Sequence, residues 1–595
     1  MAEERVEGRE VSWRRLFPWT ELFRGFQIAL DPNKLLLAAA GIAVMALGWW
    51  FLSLVFSAAV ATTPPDWPGS YVSQAENNQA KAWAAFRADR QHWNLMHEAI
   101  GLSRDPQPYE VKDLAETIEE YELFKGLTPG PNAAQQATDL VADKAQKKEL
   151  VGERARLYRE RALAYANLGR LKPAGRLSVS PWAEDRGPNP YLLLTGQSGV
   201  PWETNHFWEW FTRDQAPVMI EPLVKLVRPI VYFLSPRNTF TSRLYFLLVT
   251  LVTLTTWSFF GGAITRIAAV QITRGERIGL LEAVRFTGKR FGSYVFAPLF
   301  PLAMVFFLTI ILAVFGMLHL IPVVGDVLID GLLWPIPLLI GLVMAGVLVG
   351  LVGWPLMATT VSTEGTDSWE AVSRTYSYVY QRPWYYAWYG LVAIFYGGLL
   401  VFFVGFMGSL SVYLAKWGVS QAPGVVTLNR EPSYLFVYAP LSFGWRELLL
   451  EGAEVNLTTA QQADKDLAPF DGANVVRSRS TAPVTGPIGG LSRYNRIDAG
   501  TYDVYLRTLS PWNRIGAMMV AFWLGLAFLL VLGFGYSYFW TASTIIYLLL
   551  RKSVDSAELD EVYMEEDDFD TTLPPAAGPT AARPASTLPM VEPSR

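Results

Sequence analysis

Three ionisable residues, His319, Asp326 and Asp330, stand close together at a tight apolar turn. Asp326 and Asp330 are four apart and share a helical face. Ionisable groups beside a membrane interior serve as proton or ion sites, so this trio is a candidate for that chemistry. The plainer reading is interfacial, with Asp326 placed to cap the helix that follows. His92 and His97 are five apart, which splays them on a helix, whereas metal-binding pairs use spacings of three or four. They read as surface residues. The chain has no cysteine, which excludes disulfides and thiolate chemistry. It has no phosphate-binding glycine loop, no HExxH and no GxSxG. No catalytic constellation emerges, so neither an enzyme nor a cofactor is expected.

A second constellation is the stretch 274–301, RGERIGLLEAVRFTGKRFGSYVFAPLFP. Ile278, Leu281, Val284 and Phe291 can share one apolar helical face, while Arg277, Arg285, Lys289 and Arg290 stay wet. An apolar run follows at once. The pattern is an elbow: a helix lying on a membrane surface, then a span. Glu282, Arg285, Gly288, Lys289 and Arg290 form a candidate docking elbow for a partner. The same design precedes two other spans, at residues 20–34 (Leu22, Phe23, Phe26, Leu30) and 367–384. In the latter, Asp367 and Glu370 form a capping box, and Trp369, Val372, Tyr376 and Val379 make the apolar face.

The elements that position these residues are membrane spans. Of 595 residues, 51% are hydrophobic and only 17% charged, against about 25% charged in soluble domains. The net charge of −4 is too small to imply nucleic acid as a partner. The 22 tryptophans and 26 tyrosines suit two membrane–water interfaces. The apolar runs predict six transmembrane helices, at 35–60, 242–264, 294–320, 327–353, 385–415 and 514–550. Between them lie an N-terminus with the first elbow (1–34), an outer domain (61–241), two further elbow segments (265–293 and 366–384) and a second outer domain (418–511). The first outer domain reads as mainly helical, with Trp83, Phe86, Arg90 and Trp93 at helical spacing and an amphipathic helix near 220–234. The second reads as β-containing, from strand-like runs at 434–438 and 502–506. Residues 551–595 form a cytoplasmic tail, acidic over 555–570 and then Pro/Ala-rich over 571–595, the part expected to be disordered. The expected fold class is therefore an all-α polytopic membrane protein built of three elbow–hairpin units.

Loop charge sets the orientation. Residues 266–290 carry Arg266, Arg274, Arg277, Arg285, Lys289 and Arg290, whereas 321–326 carry no Lys or Arg. This puts both termini and all three elbows in the cytoplasm and the two inserts outside a cytoplasmic (inner) membrane. Small residues mark helix packing: Gly346 and Gly350, then Gly390, Gly397 and Gly405, then Ala517, Ala521 and Gly525.

The stretches GLLEAVRFTGKRFGSY, SWEAVSRTYSYVYQRPW and YFWTASTIIYLLLRKSVD resemble a bacterial family of six-span proteins related to the membrane domain of glycerophosphoryl diester phosphodiesterases. The catalytic barrel of those enzymes is absent here. Glu282, Ala283, Gly288 and Pro301 also resemble, in spacing, the E-A-A loop with which ATP-binding-cassette importer permeases dock their ATPase. The expected function is a non-enzymatic structural or interaction component of the envelope. Its expected partners are membrane lipids, other membrane or envelope proteins through 61–241 and 418–511, and a cytoplasmic partner. The alternatives are a transporter or permease subunit using the loop around Glu282, and a lipid-handling membrane enzyme.

Overall fold

A backbone in lipid must satisfy its own N–H and C=O groups, so the long apolar runs become helices. The computed structural model describes residues 17–59, 66–68, 71–74, 78–98, 111–126, 133–148, 151–152, 155, 158, 180–184, 186–195, 207–208, 210–234, 240–320, 325–425, 432–450, 506 and 509–564. The principal helices are α1 (Pro32–Ala59), α2 (Glu221–Phe233), α3 (Phe240–Thr273), α4 (Leu280–Lys289), α5 (Phe291–His319), α6 (Pro335–Leu351), α7 (Trp354–Glu364), α8 (Ser368–Gln381), α9 (Pro383–Ser420) and α10 (Pro511–Asp555). Five are long and apolar enough to cross a membrane, or six if α6 and α7, bent by 56° to each other, count as one broken span. The protein is a helical, multi-pass membrane protein.

Glycines let the central helices touch. A Cβ at Gly41 of α1 would come within 3.0 Å of the Trp257 ring, and one at Gly48 within 2.6 Å of Val252, both on α3. A Cβ at Gly261 of α3 would meet Trp540 of α10 at 2.6 Å, and Gly533 of α10 lies against the backbone of Leu35 and Ala39. The core thus gathers around α1, α3 and α10, with Trp49, Trp257, Tyr536 and Trp540 fully enclosed.

The α5–α6 hairpin stands apart. Only 6% of its apolar window on α5 is buried, against 61% for α3. Phe306, Phe307, Ile310, Leu338, Leu339 and Leu342 face outward, as lipid-facing side chains do. The hairpin meets the rest of the protein chiefly at its base, through α7, α8 and the foot of α3. There Pro355, which lacks an N–H, marks the break between α6 and α7. The carbonyls left exposed near that break are met by tyrosines. Tyr376 donates to Val347 O at 2.8 Å, Tyr386 to Val352 O at 2.9 Å, and Tyr380 to Gly346 O. Burial pushes the Tyr376 hydroxyl up to about 12, so it stays protonated and keeps donating.

Several boundaries differ from the sequence reading. α3 runs on to Thr273 and buries Arg266 instead of ending before it. The first elbow is a 3₁₀ turn, Pro18–Arg24, leading into Gly25–Ala29; it buries Leu22, Ile28 and Ala29 and leaves Phe23 and Leu30 exposed. The tighter 3₁₀ winding shifts the apolar phase. In the central elbow the helix begins at Leu280, so Ile278 lies outside it. The buried face is Ile278, Ala283, Phe286 and Thr287, while Leu281 is 69% exposed. In the third elbow Asp367 accepts from the Glu370 N–H at 2.9 Å, but the Glu370 carboxylate pairs with Arg374 instead of closing the box. That helix buries Ala371, Thr375, Tyr378 and Val379 and leaves Trp369 exposed.

The expected β-containing second outer domain is corrected in part. Residues Pro432–Phe436 form a 3₁₀ turn, and no strand occurs among the described residues. The run packs on α10, and a helix offers no ladder of hydrogen bonds to an extended chain. Of the other expected run, only Leu506 is described, and it is helical. The acidic segment beyond α10 is described as far as Met564. Ser556 adopts φ +55°, the chain reverses, and residues 557–564 return across the face that carries the elbows. The remainder of the expected tail lies outside the described residues.

Candidate functional site

The segment expected to belong to a polar outer domain instead enters the bundle. The described residues among 180–234 pack against α1, α3, α9 and α10. Trp182 donates its indole N–H to Gly525 O of α10 at 3.0 Å, Gln215 Nε2 donates to Gly398 O of α9 at 2.7 Å, and Asn189 Nδ2 donates to Ser409 Oγ of α9 at 3.2 Å. The second insert is tied to the first: Leu441 N–H and Ser442 N–H both donate to Trp182 O, and Asn189 donates to Phe443 O at 2.7 Å.

Helix α2 is amphipathic, as its sequence implies, but inverted. Glu221 and Lys225, four apart, are buried at 0% and 3% exposure, whereas Val227 (44%), Val231 (57%) and Leu234 just beyond (68%) face out. Water would favour the opposite arrangement; a lipid surround favours this one.

Around these two residues four charges close on one another. Arg186 donates to Glu221 through Nε at 3.0 Å and Nη2 at 2.9 Å, and to Glu184. Its Nη1 reaches Pro181 O and Ser442 Oγ. Lys225 Nζ lies 2.6 Å from Glu221 and 2.8 Å from Glu184, and 5.6 Å above the Trp49 ring. Tyr536 of α10 donates to Glu221 Oε1 at 3.0 Å and stacks on Trp257, with ring centroids 4.5 Å apart. Two carboxylates and two cations make a neutral set. Among the described residues of this network, Glu184 Oε1 is the oxygen without a protein partner. Trp49 touches Lys225, and Met45 accepts from Trp257 Nε1. Both residues lie on α1 some 20–25 Å from Pro32, at about 1.5 Å per residue. A hydrocarbon core is about 30 Å thick, so the network lies against a stretch of α1 within one bilayer thickness of Pro32.

Desolvating such charges costs several kcal/mol per ion, which their mutual attraction offsets only when the geometry is good. What the arrangement provides is register: its members come from four parts of the chain. Glu184 and Arg186 come from the inserted segment, Glu221 and Lys225 from α2, Ser442 from the second insert and Tyr536 from α10.

The residues singled out from the sequence lie elsewhere. Asp326 is exposed in a π-helical turn, Gly325–Leu332, at the tip of the α5–α6 hairpin. It does not cap α6, which starts later, at Pro335, with no side-chain cap at Trp334. The side chains of His319 and Asp330 lie outside the described residues, as do those of His92 and His97. Glu282, Arg285, Gly288 and Lys289 are exposed on α4. Arg290 is not wet: its guanidinium stacks over Phe286 at 4.4 Å and Tyr563 at 5.1 Å and donates to Gly365 O.

The small residues prove to be seats for larger side chains. Gly350 lies under Tyr376, Gly346 under Tyr380, Gly397 under Met219 and Tyr538, Gly405 against Pro190, and Gly525 against Trp182. Ala517 is buried, Ala521 half-buried, and Gly390 faces open space. The charge network itself was missed by sequence reasoning. Its one signal was Glu221 and Lys225 at helical spacing opposite three aliphatics. Which face turned inward was not written in that spacing. Among the described residues no three His, Asp or Glu converge as metal ligands.

No protein-family model matches this chain, nor does any curated protein or solved structure.

Proposed function

We propose that this chain is a non-enzymatic scaffold of the cytoplasmic membrane, holding its outer segments rigidly on a helical bundle for interaction with other membrane or envelope proteins. The observation that carries this reading is the neutral network of Glu184, Arg186, Glu221, Lys225 and Tyr536, which joins the first insert, α2 and α10. A fixed joint of this kind suits a platform. The exposed basic residues Arg274, Arg277, Arg285 and Lys289 on the elbow face support an orientation with that face in the cytoplasm. The test is photo-crosslinking in cells from Ala85, exposed on the outer helix Gln79–Glu98. A discrete protein adduct is expected, and a chain that crosslinks only to lipid would overturn the scaffold.

A second reading, proton or ion handling, draws support from the unpartnered Glu184 Oε1. It requires flux in proteoliposomes that is lost in Glu184→Gln. The permease alternative draws support from the exposure of Glu282 and Gly288; it requires that Glu282→Ala release an ATPase subunit.

A further inference from the structure

The elbow face holds a groove that is already filled. Residues 557–564 lie across it, with Leu559, Val562 and Met564 turned inward and Glu558, Asp560 and Glu561 outward. Leu559 lines a mainly apolar cavity with Ile28, Ile272, Ile545 and Leu548, beside Glu21 and Arg24. Tyr563 is gripped at both ends of its backbone: its N–H donates to Thr363 O at 2.7 Å, and its carbonyl accepts from Arg266 Nη1 at 2.8 Å. Its ring lies beneath Arg290 and against Gly365, whose φ of +66° and 2.7 Å clearance leave no room for a side chain. Arg551 donates to the Glu561 carbonyl at 2.9 Å and to its carboxylate at 3.0 Å. The groove walls come from the first elbow, α3, the α7–α8 corner, α4 and α10.

This is the recognition chemistry of an extended acidic peptide: backbone capture for affinity, a guanidinium stack for an aromatic ring, an arginine for a carboxylate and a pocket for an aliphatic residue. We propose that the elbow face is a binding groove for an acidic peptide, held shut by the chain's own residues 557–564 and open to a partner protein's acidic segment when that strap lifts. Contacts to Tyr563 N–H, Tyr563 O and Glu561 O select a polypeptide over an anionic lipid headgroup, which offers no matching main-chain groups. Ser556 in the left-handed region supplies the hinge on which the strap turns back. The proposal uses the scaffold reading only to name a protein as the partner; the groove itself is tested without one.

Tethering gives the strap an effective concentration of about 1 mM, so a free peptide with a Kd on the order of 10 µM should bind the intact chain about 100-fold more weakly than an open one. The experiment uses the full chain in nanodiscs, intact or with the strap disarmed by Leu559→Glu and Tyr563→Ala. The probe is a labelled peptide of sequence SAELDEVYMEEDDFD, residues 556–570. The disarmed chain is expected to bind it about 100-fold more tightly than the intact chain, and Arg290→Glu in the disarmed chain should remove at least 10-fold of that. Should the double substitution not yield a monodisperse chain, Tyr563→Ala alone serves, with the same direction. Equal affinity for both chains, or no binding to a monodisperse disarmed chain, overturns the proposal. So does a disarmed chain that ignores the peptide and gains affinity for phosphatidylglycerol vesicles, since the groove would then read headgroups. Crosslinking from Ala85 fails or succeeds independently, because it reports on the opposite face.

Discussion

Replacing Glu221 by Gln keeps the shape of the side chain and removes the charge that two cations share. In the native protein this carboxylate accepts from Arg186 twice, from Lys225 and from Tyr536, at 2.6–3.0 Å. After the substitution, Arg186 and Lys225 remain buried with only Glu184 to balance them. Stranding a buried charge costs about 3–5 kcal/mol, and each kcal/mol lowers Tm by about 2–4 °C in a domain of a few hundred residues. With the lower slope for this larger chain, a fall of about 6–10 °C follows. The assay is the temperature at which half of the monodisperse detergent-solubilised peak is lost. Glu282→Gln, on an exposed carboxylate, is the control and should shift it by no more than about 1 °C. The second arm is a double-mutant cycle. Lys225→Met alone strands negative charge, whereas Glu221→Gln with Lys225→Met restores neutrality, so the double variant should be more stable than the sum of the singles by at least about 1 kcal/mol. A Glu221→Gln chain as stable as the native one, or strictly additive singles, would refute the network as the joint.

Gly350→Ala should destabilise by about 1–3 kcal/mol through overpacking, because its Cβ would fall 2.1 Å from the Tyr376 ring. Gly390→Ala, which meets nothing within 4 Å, should be neutral or stabilising by up to about 1 kcal/mol; thermal unfolding of the two side by side checks this. Asp367→Ala removes the N-cap of α8 and should cost about 1 kcal/mol, read as faster proteolysis at the third elbow. Because the chain is cysteine-free, Ala85→Cys and Glu276→Cys report topology cleanly. An impermeant maleimide should label the first in intact cells and the second only after permeabilisation, and the reverse order would invert the orientation.

Hydropathy alone gave the helical class and the spans, because a bilayer imposes length and apolarity on each crossing segment. The elbows were legible for the same reason, but their inward faces were not. Leu281 and Trp369 lie on the exposed sides of α4 and α8, while Ala283, Phe286, Ala371 and Tyr378 face the protein, a division that spacing alone does not reveal. Gly350, Gly397 and Gly525 announced close packing without announcing what would fill them, because a missing side chain does not specify its visitor. The charge network was hidden most completely. Polar residues between spans read as an aqueous domain, and only tertiary contacts reveal that Glu221 and Lys225 turn inward while Val227 and Val231 turn out. The strap at 557–564 was masked by its acidic composition, which reads as solvated chain until Arg266, Arg290 and Arg551 are found beneath it.

The placement of α2 in the bilayer is the central claim, and its exposed aliphatics test it most directly. Val227→Cys and Val231→Cys, made singly in the native cysteine-free chain, are treated in intact and in permeabilised cells with an impermeant maleimide, then with a membrane-permeant one, with Ala85→Cys as the wet reference. Lipid-facing positions predict no labelling of either residue by the impermeant reagent from either side. A Val231→Cys chain that labels as fast as Ala85→Cys in intact cells would place α2 in water and contradict the account.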